Sequence, residues 1–376
     1  MLHRTAPALV VSLALLVAVP RPGLPCSLCG ANLRQAPSIR EDATQPTARV
    51  IAIGVPRTPK DSATSVLDVT ELLRNDPAAG KPKVIDLARY VPNNDVRFLV
   101  FCDIFKDKLD PFRGIPLASA DAAEYARRVL KLDPKDTAAN LHFYFRYLDH
   151  PDPEVARDAF IEFAKAHDQD ITRAAPRLDA AKLRAWLKDP KTPPERLSVY
   201  ALLLGACGRD DDAPFLRGLL NESEERVANA YDGILAGYTN LRPREGWELA
   251  LEEVRDGHRP LQLRLAVVRM LRFWHGAQPE KSRDNVLRCI RAMLQQGELA
   301  DLAVEDLRRW KMWDMTREVL PLYGRKGYDA PIVQRAIIRY ALSCDDADCR
   351  AFLGERRKAE PDVVRDVEEE IRLEKP

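Results

Sequence analysis

Residues 112–132, FRGIPLASADAAEYARRVLKL, hold the change of rhythm that divides the chain. Phe112 to Leu117 has the length and composition of a strand. From Ser119 onward the apolar spacing passes from about two residues to about 3.6, and strand formers give way to Ala, Leu, Arg and Glu. Strands are therefore expected before this point and helices after it. The division predicts a small β domain over residues 46–118 and an α-helical domain over residues 119–376.

Working back from Phe112, four more segments read as strands: Ala48 to Val55, Thr64 to Leu72, Lys83 to Tyr90 and Arg97 to Phe105. The first and the last are nearly continuous apolar runs rich in β-branched or aromatic residues, which implies burial on both faces. Turn formers separate them, as in Arg57-Thr-Pro-Lys-Asp61 and Asn75-Asp-Pro-Ala-Ala-Gly80. Five strands in so short a stretch predict a small closed or half-open barrel, because closure removes edges that would pair between molecules.

The segment from residue 26 to residue 118 resembles netrin-like, TIMP-like domains. The likeness rests on Cys26-Ser-Leu-Cys29, a strand ending at Gly54, Val66-Leu-Asp-Val-Thr-Glu-Leu-Leu73 followed by Asn75-Asp-Pro77, and a strand bearing Cys102. The resemblance implies an OB-fold barrel. In the metalloprotease-inhibitor branch, the mature N-terminal cysteine chelates a catalytic zinc, a role that would fall to Cys26. This chain has Cys-x-x-Cys where those inhibitors have Cys-x-Cys, and Pro25 is a poor residue before a cut.

Forward from Ser119, Asp121 to Leu132 and Asp136 to Leu148 read as a first helix pair, stopped and restarted at Asp133-Pro-Lys-Asp136. A loose unit then recurs. Taking Val155, Leu197, Val227, Leu263, Leu302 and Val333 as equivalent positions, its mean spacing is about 36 residues. Residues 150–356 thus resemble HEAT-like repeats, and the uneven steps predict an irregular α-solenoid. Each helix pair would bury its apolar face against its neighbours. Asp362 to Leu373, entered through Pro361, reads as a polar terminal cap.

At the other end, residues 1–25 carry His3 and Arg4, an apolar run from Ala8 to Val19, and prolines at 20, 22 and 25, the pattern of a secretory signal. The apolar run is too short to span a bilayer as a helix, and no later stretch is long enough either. An exported protein, periplasmic or extracellular, is expected. Gly23-Leu-Pro-Cys26 resembles a bacterial lipoprotein box only loosely, so lipid anchoring at Cys26 is the lesser expectation. Residues 26–45 read as the Cys-x-x-Cys segment and a polar linker.

Export favours disulfides among the seven cysteines. The candidates are Cys26, Cys29, Cys102, Cys344 and Cys349, the last two flanking an interhelical turn. Cys207 and Cys289, in apolar helical patterns, are expected to be free and buried. Cys26 and Cys29 could instead exchange thiols or hold metal. Gly30 stands where haem attachment needs a histidine, and no second Cys or His pair has zinc spacing.

Function is written less clearly. Fifty-eight Lys and Arg face 57 Asp and Glu, and residues 46–118 carry 11 basic against 9 acidic side chains, which is no footprint for nucleic acid. Phe98, Phe101 and Phe105 are expected in the core. Trp310 and Trp313, with Arg308 and Arg309, are the one candidate interaction surface, although core packing and a solvated face account for them more simply. His142, His150, His167 and His275 lack partners at metal-ligand spacing, and Asp210-Asp-Asp-Ala-Pro214 reads as a helix start. The chain contains no nucleophile elbow, phosphate loop, dinucleotide fingerprint or His-Glu-x-x-His motif. Neither catalysis, a metal nor a cofactor is expected. The expectation is a non-catalytic binding or scaffolding protein that meets another exported or cell-surface protein. Thiol-disulfide or metal handling at Cys26 and Cys29, and TIMP-like protease inhibition, are the alternatives.

Overall fold

The computed structural model describes Leu28 and residues 35–60, 62–92 and 95–374. The leader, Cys26 and Cys29 lie outside the described residues. The chain builds a curled five-strand antiparallel half-barrel and then a long run of helices.

The strands are β1 (Val50–Arg57), β2 (Ser65–Arg74), β3 (Val84–Leu87), β4 (Arg97–Phe105) and β5 (Lys108–Leu117), in the order β3-β2-β1-β4-β5. Strand β5 begins earlier than the Phe112 of the sequence reading. Lys106 and Asp107 both take positive φ (49° and 60°), and this two-residue turn lets Phe105 pair with Lys108. Strand β3 approaches β5, but no ladder joins them among the described residues, so the barrel stays half open. Register shifts within the β1–β2 and β4–β5 ladders accompany the curl.

Both faces of the sheet are covered, which explains the continuous apolar runs. Val50, Ala52, Leu67, Ile85, Val100 and Cys102 fill the inside of the curl. Ile51, Ile53, Leu99, Phe101 and Ile115 point the other way and join a core that continues through the helices to Val364 and Val367.

Eighteen α-helices lie among the described residues. Helix α1 (Ile39–Thr44) precedes the sheet, inside the stretch expected to be linker. A capping box sets it: Ser38 Oγ accepts from the Glu41 amide and Glu41 reaches back to the Ser38 amide. Its Ile39 and Ala43 are buried, as is Leu28 ahead of it. After the sheet come α2 (Ala120–Val129), α3 (Thr137–Phe145), α4 (Pro153–Lys165), α5 (Asp168–Ala174), α6 (Ala180–Lys188), α7 (Pro194–Cys207), α8 (Asp212–Leu219), α9 (Glu225–Ala228) and α10 (Tyr231–Leu241). The remainder are α11 (Pro243–Arg255), α12 (Leu261–Ala277), α13 (Pro279–Leu294), α14 (Gly297–Trp310), α15 (Thr316–Val319), α16 (Pro331–Ser343), α17 (Ala347–Ala359) and α18 (Pro361–Leu373). Proline stands at the first position of α4, α7, α11, α13, α16 and α18, where its missing N–H costs nothing. The acidic run at Asp210 does open a helix, though Asp212 works by accepting from the Arg209 amide (2.8 Å) and from Arg184 (2.6 Å).

Alternate helices pack on one another: α7 on α10, α10 on α12, α14 on α16, α16 on α18, and on the other side α11 on α13. Helices α7 and α10 cross most closely, with Gly205, Gly233 and Gly237 against the backbone of the facing helix. The terminal helix is more than a polar cap, because Val364 and Val367 close the core.

Where the two architectures meet, Asp158 of α4 is buried and accepts from the Ile39 amide (2.7 Å) and the Tyr125 hydroxyl (2.7 Å). Arg113 of β5 pairs with Asp42 (2.5 Å), and Arg40 pairs with Glu162 (2.7 Å). Sheet, α1 and α4 are thus tied by buried carboxylates, two of them paired with partly exposed arginines.

Candidate functional site

A concavity lined by polar groups lies between the α10–α11 and α12–α13 turns. It measures about 420 Å³. Local sequence explains its shape. Helix α10 ends at Leu241 and α11 begins at Pro243, while α12 ends at Ala277 and α13 begins at Pro279, so each turn is a single residue with proline starting the next helix. Neither Arg242 nor Gln278, the residues before those prolines, makes a side-chain capping bond. The first amides of α11 and α13 therefore remain unsatisfied by caps at this end of the array.

Trp247 and Trp274 lie behind its wall, each more than nine-tenths buried, with ring centroids 6.1 Å apart and planes tilted by 50°. The Trp274 Nε1–H is buried, with no acceptor among the described residues. The Trp274 carbonyl, by contrast, accepts from Ser282 Oγ (3.0 Å) and the Gln278 amide (3.0 Å). Asn240, Gln278 and Asn285 add carboxamides to the walls. Arg244 and Lys281 are exposed at the mouth, and among the described residues neither has an ion-pair partner. Arg288 pairs with Glu248 at 3.0 Å. One acid faces three bases, and the cleft is net positive.

The residues singled out in the sequence are elsewhere. Trp310 stacks on His275, with centroids 4.2 Å apart, and Trp313 meets Tyr340 edge-on at 5.1 Å; both pack against the core. Arg308 and Arg309 converge on Glu305, and Arg308 also reaches Glu374 (3.0 Å). The structure therefore engages all four side chains within the fold. Burial beside Trp310, with Arg283 nearby, pulls His275 down to about 4.

Cys102, Cys207, Cys289, Cys344 and Cys349 all carry free thiols in the structure. Burial pushes Cys102 and Cys289 up to about 12 and Cys207 to about 11, the opposite of a reactive thiolate. Cys344 and Cys349 do approach the same Thr316 hydroxyl, at 3.9 and 4.0 Å, so the turn of α16 into α17 brings them together without a bond. Among the described residues, no cluster of three or more His, Cys, Asp or Glu side chains is placed to hold a metal ion. Nor is any helix long and apolar enough to cross a membrane.

The sequence reading missed the Trp247–Trp274 cleft. Its only local trace is the pair of single-residue turns Arg242-Pro243 and Gln278-Pro279, each preceded or followed by tryptophan within four residues. Compared with known proteins, the chain matches no protein-family model, no curated protein and no solved structure.

Proposed function

We propose that this is an exported, non-catalytic binding or scaffolding protein whose helices form an irregular α-solenoid and offer a broad surface to another exported or cell-surface protein. The observation that carries this reading is a set of side-chain ties between neighbouring helices, six of which span 34 to 37 residues within a wider range of 27 to 42. Ser198 donates to Asp232, 34 residues on, and Asp232 accepts in turn from Arg269, 37 further. Arg264 meets Glu298 and Arg272 meets Asp306, each 34 apart; the Tyr328 hydroxyl donates to the Leu294 carbonyl, also 34 apart; Arg335 meets Glu370 at 35. Equivalent positions in successive units would produce such a ladder, which agrees with the mean step of about 36 in the sequence.

An array of this kind is rich in surface and poor in chemistry. The pushed-up thiols, and a His275 that holds no proton near neutrality, add no nucleophile or general acid. In the half-barrel, the order β3-β2-β1-β4-β5 supports an OB-like reading. The test is affinity capture with the full exported chain, followed by cross-linking to map the contact. Cross-links from one partner to exposed positions of α7 to α18 support the proposal. Turnover of a small substrate without any such partner overturns it. N-terminal sequencing tests the inhibitor alternative, since any residue left before Cys26 blocks chelation by its amine.

A further inference from the structure

We propose that Cys344 and Cys349 close into a disulfide across the turn from α16 to α17, and that their free thiols are the reduced state of a redox-operated clip. Helix α16 ends at Ser343 and α17 begins at Ala347, so Cys344 directly follows one helix and Cys349 stands in the first turn of the next. The Asp346 carboxylate sets that first turn by accepting from the Asp348 amide (2.6 Å) and the Cys349 amide (3.3 Å). Both side chains lie inside the fold: Cys349 is fully buried and Cys344 is 6% exposed. There they converge on one hydroxyl, Thr316 Oγ1, which lies 3.9 Å from Cys344 Sγ and 4.0 Å from Cys349 Sγ. That hydroxyl is fixed in turn by the Trp313 carbonyl (2.7 Å) and the Tyr340 hydroxyl (3.2 Å). Burial pushes the Cys349 thiol up to about 12, and contact with Cys344 adds to the rise.

The oxidant required is a small soluble disulfide, of which oxidised glutathione is the type. Cys344, the more exposed thiol, gives up its proton and attacks one sulfur of that oxidant, whose S–S bond breaks and releases a first glutathione thiolate to take up the proton. Cys349 then gives up its proton and attacks the Cys344 sulfur of the mixed disulfide, and a second glutathione thiol leaves. Two cysteine thiols are oxidised by two electrons, and one glutathione disulfide is reduced to two thiols. Because Cys349 keeps its proton in the folded protein, the exchange proceeds mainly during folding or local opening of the turn. The closed bridge ties the first turn of α17 to the end of α16, and α17 in turn packs on α18. It also removes freedom from the unfolded chain, which stabilises this part of the fold.

Equilibration of the full chain in glutathione buffers of graded oxidising strength tests the assignment, once without denaturant and once in urea. Samples begun fully reduced and fully oxidised are held until they agree, then quenched with iodoacetamide and digested. Tryptic cleavage after Arg339 and Arg350 leaves both cysteines on one peptide, so the bridge is read as that peptide lacking both alkyl groups and two hydrogens. The equilibrium constant for closure should be about tenfold or more larger in the folded chain than in urea, because the fold already holds the two thiols together. By linkage, the bridge raises the ratio of folded to unfolded protein by the same factor. Three results would overturn the proposal: a peptide that stays doubly alkylated in the folded chain at the most oxidising buffer, closure no more favourable than in urea, or either cysteine bridged to a different one. The outcome is separable from the scaffolding reading, because it needs no partner.

Discussion

Replacing Asp158 with Asn should make the protein more stable at neutral pH and remove one component of its pH dependence. Asp158 is 6% exposed and accepts two hydrogen bonds, from the Ile39 amide and the Tyr125 hydroxyl. Burial is the dominant influence and pushes its carboxyl up to about 6; the two donors and Arg113 oppose that rise, and Glu162 adds to it. The unfolded chain should hold the same group near 3.8. The native state therefore binds this proton more tightly. The stabilisation is complete below 3.8 and is lost as pH rises through 6. The difference between 3.8 and about 6 corresponds to about 3 kcal/mol. Asparagine is neutral throughout: its Oδ1 can accept from Ile39 and its Nδ2 can donate to the Tyr125 oxygen. Urea unfolding followed by circular dichroism at pH 4, 5, 6, 7 and 8 should show a variant advantage that is near zero at the acid end and grows to about 3 kcal/mol above pH 6. His275 titrates in the same range with the opposite sign. Its folded value, about 4, lies below its ordinary 6.5, so its contribution is present above 6.5 and lost as pH falls through 4. It is common to both proteins and cancels in the difference. A difference that is constant with pH, or a variant less stable at pH 8, would refute the reasoning.

Other perturbations follow from the packing of the helices. In Gly237→Ala the new Cβ would run into the Ala201 carbonyl oxygen across the α7–α10 crossing, and a loss of about 1–3 kcal/mol or more is expected in urea unfolding; an unchanged midpoint would mean that the helices part easily. Arg272→Met strands the buried Asp306 carboxylate, which now accepts at 2.9 and 3.0 Å, and should cost about 3–5 kcal/mol. Adding Asp306→Asn should recover much of that loss, and failure to recover it would show that the arginine stem mattered more than its charge. At pH 8, Cys102 and Cys289 should react with a thiol reagent only as fast as the protein unfolds, and prompt native labelling of either would contradict their burial.

Much of the architecture was legible because it depends on rhythm. A two-residue period ending at Leu117 and a 3.6-residue period beginning near Ser119 located the strands and helices, and Pro-marked entries located α4, α7, α16 and α18 within a residue or two. Helix α1 was not legible, because Gln35 to Gln45 looks polar and only the pairing of Ser38 with Glu41 forms its start. The β4–β5 turn was missed since Lys106 and Asp107 are unusual residues for positive φ. The platform suggested by Trp310 and Trp313 failed to assemble for a simple reason: sequence adjacency says nothing about His275, Tyr340 and Glu305, which engage those tryptophans and their arginines from elsewhere.

By itself the sequence determined strand and helix character, their order and the balance of charge, since each is a local or additive property. Only the tertiary structure decided which side chains meet across gaps of 25 residues and more. Trp247 reaches Trp274, and the one-residue turns beside them leave two helix starts at one cleft, because helices stack at a distance set by side-chain packing, and no local pattern encodes that distance.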